Sequence, residues 1–205
     1  GRGGGSNSKA EDFAITGRVD YTPDKIPGLL VGAATFLGNS GQAQSYGSAK
    51  VDVFTQLYEG HVQYKYRGWE LRALGAFGKI NNTQHLNQYL YTENNTVVGK
   101  ENFGWYVEAA HDIMPMLWKE SSQYLAPFVR VERYNTLASV ALNPATGYAF
   151  DNTTGLDRWI YQAGMSYKPI ENIVIKADYR NIHDRKLVPG IPYGDEFNLG
   201  VGFIY

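Results

Sequence analysis

The residues able to do chemistry in this sequence are charged side chains set two apart, and they recur along the chain without forming a compact constellation. His61 could titrate or bind a metal. No second histidine or carboxylate stands at a recognisable ligand spacing, so it reads as polar lining and no metal site is expected. His111 would need a serine nucleophile beside it, and no serine motif supplies one, so no catalytic residue and no enzyme activity are expected. Asp151, Asn152 and Thr153 lack the spaced run of oxygen ligands of a dedicated calcium site. No cofactor is implied. What remains is a set of fixed charges: Arg18, Asp20, Glu59, Lys65, Glu70, Arg72, Glu108, Arg130, Glu132, Lys176, Asp178 and Arg180, with His61 among them. Such a set acts on a solute through its field, or its members satisfy one another as ion pairs, as Lys65 with Glu70 across neighbouring strands.

Spacing of two is the period of a β-strand, whose side chains alternate between faces. In the last strand Phe197, Leu199, Val201, Phe203 and Tyr205 alternate with Asn198, Gly200 and Gly202. Upstream, Ile173, Ile175, Ala177 and Tyr179 oppose Lys176, Asp178 and Arg180. Trp159, Tyr161, Ala163, Met165 and Tyr167 oppose Arg158, Gln162, Ser166 and Lys168. Segment 125–134 sets Leu125, Pro127, Val129 and Val131 against Arg130 and Glu132; Arg133 falls on the apolar side and is expected to snorkel to a headgroup layer. Trp105, Val107 and Ala109 oppose Glu108, with His111 a blemish on the apolar face. Trp69, Leu71, Ala73 and Phe77 oppose Glu70 and Arg72, Val62, Tyr64 and Tyr66 oppose Glu59, His61 and Lys65, and Ile15, Val19 and Tyr21 oppose Arg18 and Asp20. Segment 29–37 is apolar on both faces and gives no orientation.

These segments predict nine strands of about ten residues, each long enough to cross a bilayer core when tilted. Their connections alternate in length. Residues 22–27, 67–68 and 169–172 are short; 38–56, 80–103, 137–157 and 182–195 are long; 115–124 is longer than a tight turn where a short one is expected. The expected fold is therefore all-β, an antiparallel transmembrane β-barrel with short turns on the periplasmic side and long loops outside. Aromatics near strand ends, Tyr21, Tyr66, Trp69, Trp105, Trp159, Tyr167 and Tyr205, read as an interfacial girdle. An odd strand number starting outside implies further strands, so the chain is expected to be the C-terminal part of one larger barrel domain of about sixteen to eighteen strands, with residues 1–11 an extracellular loop remnant. A soluble sandwich would show the same alternation, but its apolar face would point inward and the charged face would not recur on nearly every strand.

Composition agrees with this reading. A formal net charge of -1 provides no basic excess for nucleic acid. Mean hydropathy of -0.36 and no run of roughly 20 apolar residues exclude a membrane-crossing helix. Alternate residues of a barrel face water, so that polarity is not evidence of solubility.

The stretches LYEGHVQYKYRGWELRALGAFG, YLAPFVRVERYNT, PIENIVIKADYRN and FNLGVGFIY resemble strands in the C-terminal half of the phosphate-selective porin O and P family of bacterial outer membranes. The resemblance implies a water-filled channel for passive diffusion of ions and small polar solutes, in a Gram-negative outer membrane with the C-terminus periplasmic. It implies too that Phe197, Leu199, Val201, Phe203 and Tyr205 form the signal read by barrel-assembly machinery. Lipid bilayer and lipopolysaccharide are the expected surroundings, and a homotrimer is one assembly to expect. Anion selectivity in that family rests on arginine and lysine ladders; here the cations are matched by carboxylates, and the solute stays open. A second reading is a structural sheath or anchor, or a receptor-like barrel that binds a partner through its long loops.

Overall fold

The structure is a computed structural model describing residues 12–42, 45–46, 49–94, 96–150, 156–185 and 194–203. Among the described residues eleven strands and two helices follow one another: β1 (Ala14–Tyr21), β2 (Leu29–Asn39), β3 (Ser45–Tyr46), β4 (Ala49–Lys50), β5 (Phe54–Tyr66), β6 (Trp69–Ile80), α1 (Thr83–Asn94), β7 (Glu101–His111), α2 (Met114–Leu117), β8 (Tyr124–Ser139), β9 (Asp157–Ile170), β10 (Ile173–Asp184) and β11 (Glu196–Phe203). Nine of the strands form one antiparallel sheet in chain order, β1-β2-β5-β6-β7-β8-β9-β10-β11, and β3 with β4 makes a separate hairpin. The nine predicted strands are all present. Among the described residues β1 and β11 each pair on one side only, so the sheet is open at both edges.

Connections at one end are 22–28, 67–68, 112–123 and 171–172; at the other they are 40–53, 81–100, 140–156 and 185–195. Arg67 and Gly68 both take positive φ, 48° and 82°, the backbone of a two-residue turn whose twist matches that of the strands it joins. Glycine enters that region without steric cost.

The described long connections are folded. Residues 81–100, read from sequence as loop, contain α1, and Asn87 there is fully buried: its Nδ2 donates to the Val98 carbonyl at 2.9 Å and its Oδ1 accepts from the Val98 amide at 2.7 Å. Val97, Leu137 and Phe150 pack into a small apolar cluster flanked by Tyr91 and Val140. No described helix is long and apolar enough to cross a membrane.

Candidate functional site

Directly paired residues of an antiparallel ladder project to the same side, so the register sorts every side chain to a face. One row runs Asp20, Gly32, His61, Leu74, Tyr106, Glu132, Ile160 and Ile182; the next runs Leu30, Gln63, Arg72, Glu108, Arg130, Gln162, Arg180 and Glu196. Arg18 pairs through Ala34 to Glu59, Lys65 lies opposite Glu70, and Lys176 and Asp178 share the parity of Arg180. All the charges singled out in the sequence, with His61, stand on one face.

The structure gathers them into groups. On β1 and β5, Asp20 and His61 meet across β2 although that strand lies between theirs. His61 Nε2 is 3.0 Å from Asp20 Oδ1 and 3.1 Å from Arg18 Nη2, while Nδ1 is 2.8 Å from Glu59 Oε1. Arg18 Nε donates to Asp20 Oδ2 at 2.9 Å. Gly32 makes this possible, since a Cβ there would lie 2.2 Å from Asp20 Oδ1 and 2.4 Å from the His61 ring. His61 is therefore more than polar lining: it is a buried tie between two carboxylates and an arginine.

Across β5 to β8 the charges alternate in one chain. Lys65 Nζ stands 3.3 Å from Glu70, Arg72 Nη2 3.0 Å from the same carboxylate, Arg72 Nη1 3.4 Å from Glu108, Arg130 Nη1 3.7 Å from Glu108 and Arg130 Nη2 2.8 Å from Glu132. Three cations meet three carboxylates, so the group is neutral. The Tyr124 hydroxyl donates to Glu70 at 3.1 Å, and the Arg130 guanidinium lies 3.6 Å from the centre of the Tyr106 ring. The predicted Lys65 and Glu70 pair is thus one link of a longer network.

Towards β11, Arg180 pairs with Glu196 at 2.8 Å and Lys176 sits 4.3 Å over the Phe128 ring. Asp178 is buried and accepts from Gln162 Nε2 at 2.6 Å and Asn198 Nδ2 at 3.3 Å. Arg158 donates through Nη2 to Asp184 at 3.1 Å. Arg158, Asp184, Gln162 and Tyr124 were not among the sequence candidates, yet their parity with Arg130 and Arg180 was the signal that marks them.

The opposite face is predominantly apolar, with Gln56, Lys79, Glu101 and Asp157 on it toward the long connections and Arg133 beside Trp105 and Trp159. Register settles the orientation of β2, whose Leu29, Val31, Ala33, Thr35 and Leu37 side with Tyr64, Val62, Gly60, Tyr58 and Gln56. Phe197, Leu199, Val201 and Phe203 project from this face with 72%, 70%, 73% and 64% of their surface exposed. Tyr66, Trp69 and His111 line up at the short-turn end, with Trp69 and His111 ring centres 4.4 Å apart; Tyr21 and Tyr167 stand near that end too. Trp105 lies opposite Gly75, six positions along β6 from Trp69, which is about 20 Å at strand rise. It packs edge-to-face on Trp159 at 5.5 Å. Trp159 stands near the start of β9 and Trp105 farther into β7, both on the half of the sheet toward the long connections. Tyr205, residues 1–11 and Asp151 to Thr153 lie outside the described residues.

Arg133 corrects an expectation. It does not reach out along the surface but is 6% exposed, ion-paired with Asp157, with its guanidinium 5.4 Å from the Phe103 ring centre and 5.5 Å from that of Trp159. Its Nη1 donates to the carbonyls of Tyr134 at 2.8 Å and Arg158 at 3.2 Å. A cation on an apolar face is held here because the next strand supplies its counter-ion.

No group of three or more histidine or acidic side chains able to hold a metal occurs among the described residues. No protein-family model matches the chain. An uncharacterized protein of Aquifex aeolicus (strain VF5) is similar to it, 30% identical over 184 residues that make up 87% of this chain and 39% of the relative. The chain thus spans well under half the length of the relative it matches.

Proposed function

We propose that this chain is part of an outer-membrane porin of a Gram-negative bacterium, whose charged face lines a water-filled channel for passive diffusion of ions and small polar solutes. The observation that carries the reading is the predominantly apolar face of the sheet, with large apolar side chains exposed on it from β1 to β11. Leaving a Phe, Leu or Val exposed to water forgoes about 1.5–3 kcal/mol per side chain, and β11 alone presents four of them. Lipid on that side and water on the other remove the conflict. The alternation of short and long connections supports periplasmic turns, external loops and a periplasmic C-terminal end.

Closure into a barrel would be subject to a parity rule. In a sheet of nine alternating strands β1 and β11 run the same way, so antiparallel closure takes an odd number of further strands. The longer relative has room for them outside the matched stretch. A barrel of about sixteen to eighteen strands leaves an aqueous lumen. Its neighbours would be phospholipid and lipopolysaccharide, its route to the membrane the assembly machinery reading Phe197 to Phe203, and a homotrimer one arrangement for it.

The neutral network on β5 to β8 supports weak charge selectivity rather than strong preference for anions. Planar-bilayer recording of the full-length protein tests the proposal: ohmic steps with a small reversal potential in a salt gradient are expected, and absence of conductance from folded protein overturns it. A receptor-like barrel is a second reading, favoured by α1 and the Val97, Leu137 and Phe150 cluster, which make a folded platform of the long connections.

A further inference from the structure

The connection between β7 and β8 differs from its neighbours. At the same end of the sheet, Arg67 with Gly68 and residues 171–172 turn the chain in two residues, and 22–28 carries Asp24 and Lys25 beside one half-exposed apolar side chain, Ile26. Residues 112–123 hold α2 and then Trp118, and Met116, Leu117 and Trp118 are 70%, 68% and 59% exposed. Three successive large apolar side chains on a surface turn are out of place in water.

The segment is an ordered scaffold. Asp112 Oδ1 accepts from the amides of Met114 at 3.0 Å and Leu125 at 3.2 Å. The Met116 and Leu117 amides donate to the Ile113 carbonyl at 3.0 and 3.3 Å, that of Trp118 to Met114 at 2.8 Å, and that of Ser121 to Trp118 at 3.2 Å. The amides of Met114, Met116, Leu117 and Trp118 thus all have partners within the segment, which lowers the cost of bringing them into a less polar medium. Both stems are fastened to the apolar face of the sheet: the His111 ring rests on Trp69 at 4.4 Å, and Gln123 Oε1 accepts from the Tyr167 hydroxyl at 2.8 Å.

We propose that Met116, Leu117 and Trp118 form a wedge seated in the headgroup and acyl boundary of the phospholipid leaflet at the short-turn end, extending the row of Tyr66, Trp69 and Tyr167 beyond the strands. The inference rests on the lipid-facing reading of the apolar face. Tryptophan belongs to that boundary, and short apolar segments with charged neighbours, here Lys119 and Glu120, lie in it. A phospholipid occupant follows from this continuity with the apolar face.

The chain contains no cysteine, so with any cysteine elsewhere in the full-length protein replaced by serine, a single cysteine in it takes a probe at one place. Full-length Leu117→Cys, Val129→Cys and Lys25→Cys, each carrying an environment-sensitive fluorophore, are folded into phosphatidylcholine vesicles with and without brominated acyl chains. The wedge predicts quenching at 117 roughly threefold above that at 25 and close to that at 129. A second variant, Met116→Cys with Leu117→Glu, is expected to lose most of the quenching that Met116→Cys alone shows. Quenching at 129 but not at 117 overturns the wedge, leaves the barrel standing and makes the patch a water-facing surface for protein. Quenching at neither overturns both.

Discussion

His61 and Arg133 stand on opposite faces of the sheet and meet the same requirement, that a buried charge or polar ring have partners. His61 depends on an absent side chain. Gly32→Val is expected to drive Asp20 and His61 apart and to cost roughly 1–3 kcal/mol in urea unfolding. Gly200, where an added methyl group would meet no atom within 4 Å, makes the control; Gly200→Ala should stay within about 0.5 kcal/mol of the parent. Arg133 depends on Asp157. Arg133→Ala leaves a carboxylate without its partner and is expected to cost about 3–5 kcal/mol, whereas Arg133→Met with Asp157→Leu should recover most of that. In the connection after β10, Asp195 accepts from the Tyr179 hydroxyl, from Asn181 Nδ2 at 2.9 Å and from the Ile182 amide at 3.1 Å. The Tyr179 hydrogen bond, foremost, holds its carboxyl below the usual carboxylate range. A depressed carboxyl contributes fully above its unfolded pKa and loses that contribution as pH falls through the folded value. Protection of the Ile182 amide from exchange should therefore fade in acid, and Asp195→Asn should remove that dependence. None of these partnerships was legible locally: Asp20 and His61, or Arg133 and Asp157, are joined by register and not by spacing.

At the scale of the strand, alternation carried almost everything. The nine strands, and the faces of all but β2, are readable from period two because those strands carry differently composed faces; β2 is apolar on both and takes its orientation from register. Positions 129 and 130 put this to the test with neighbouring residues. Val129→Lys places a charge on the apolar face and is expected to destabilise the lipid-folded protein by about 2–4 kcal/mol. Arg130→Gln should leave stability nearly unchanged and shift the reversal potential toward cations, since it removes one positive charge from a balanced network. Helix α1 escaped notice for a physical reason. Its sequence, TQHLNQYLYTEN, carries only a short apolar stripe, Leu86, Tyr89 and Leu90, among polar residues, and the helix is placed by Asn87 bonding to Val98, a contact made after the chain has turned back.

For the whole molecule, the open edges make the sharpest demand. In the full-length protein the outward amides of β1 and β11 should be as protected from hydrogen exchange as those of central strands; rapid exchange there would refute closure into a barrel. Whether the sheet closes, and with how many strands, was not legible because both edges of the described sheet are open. The unbroken rows across the sheet carry a genetic consequence. One codon inserted within β6 would turn Trp69 or Phe77 toward the charged side and throw every partner beyond it out of phase. Genes for such a chain are free to lengthen in their loops, but within the sheet a change must come as a whole hairpin or be absorbed by a bulge, as the register shifts at the ends of β7 with β8 and of β9 with β10 are.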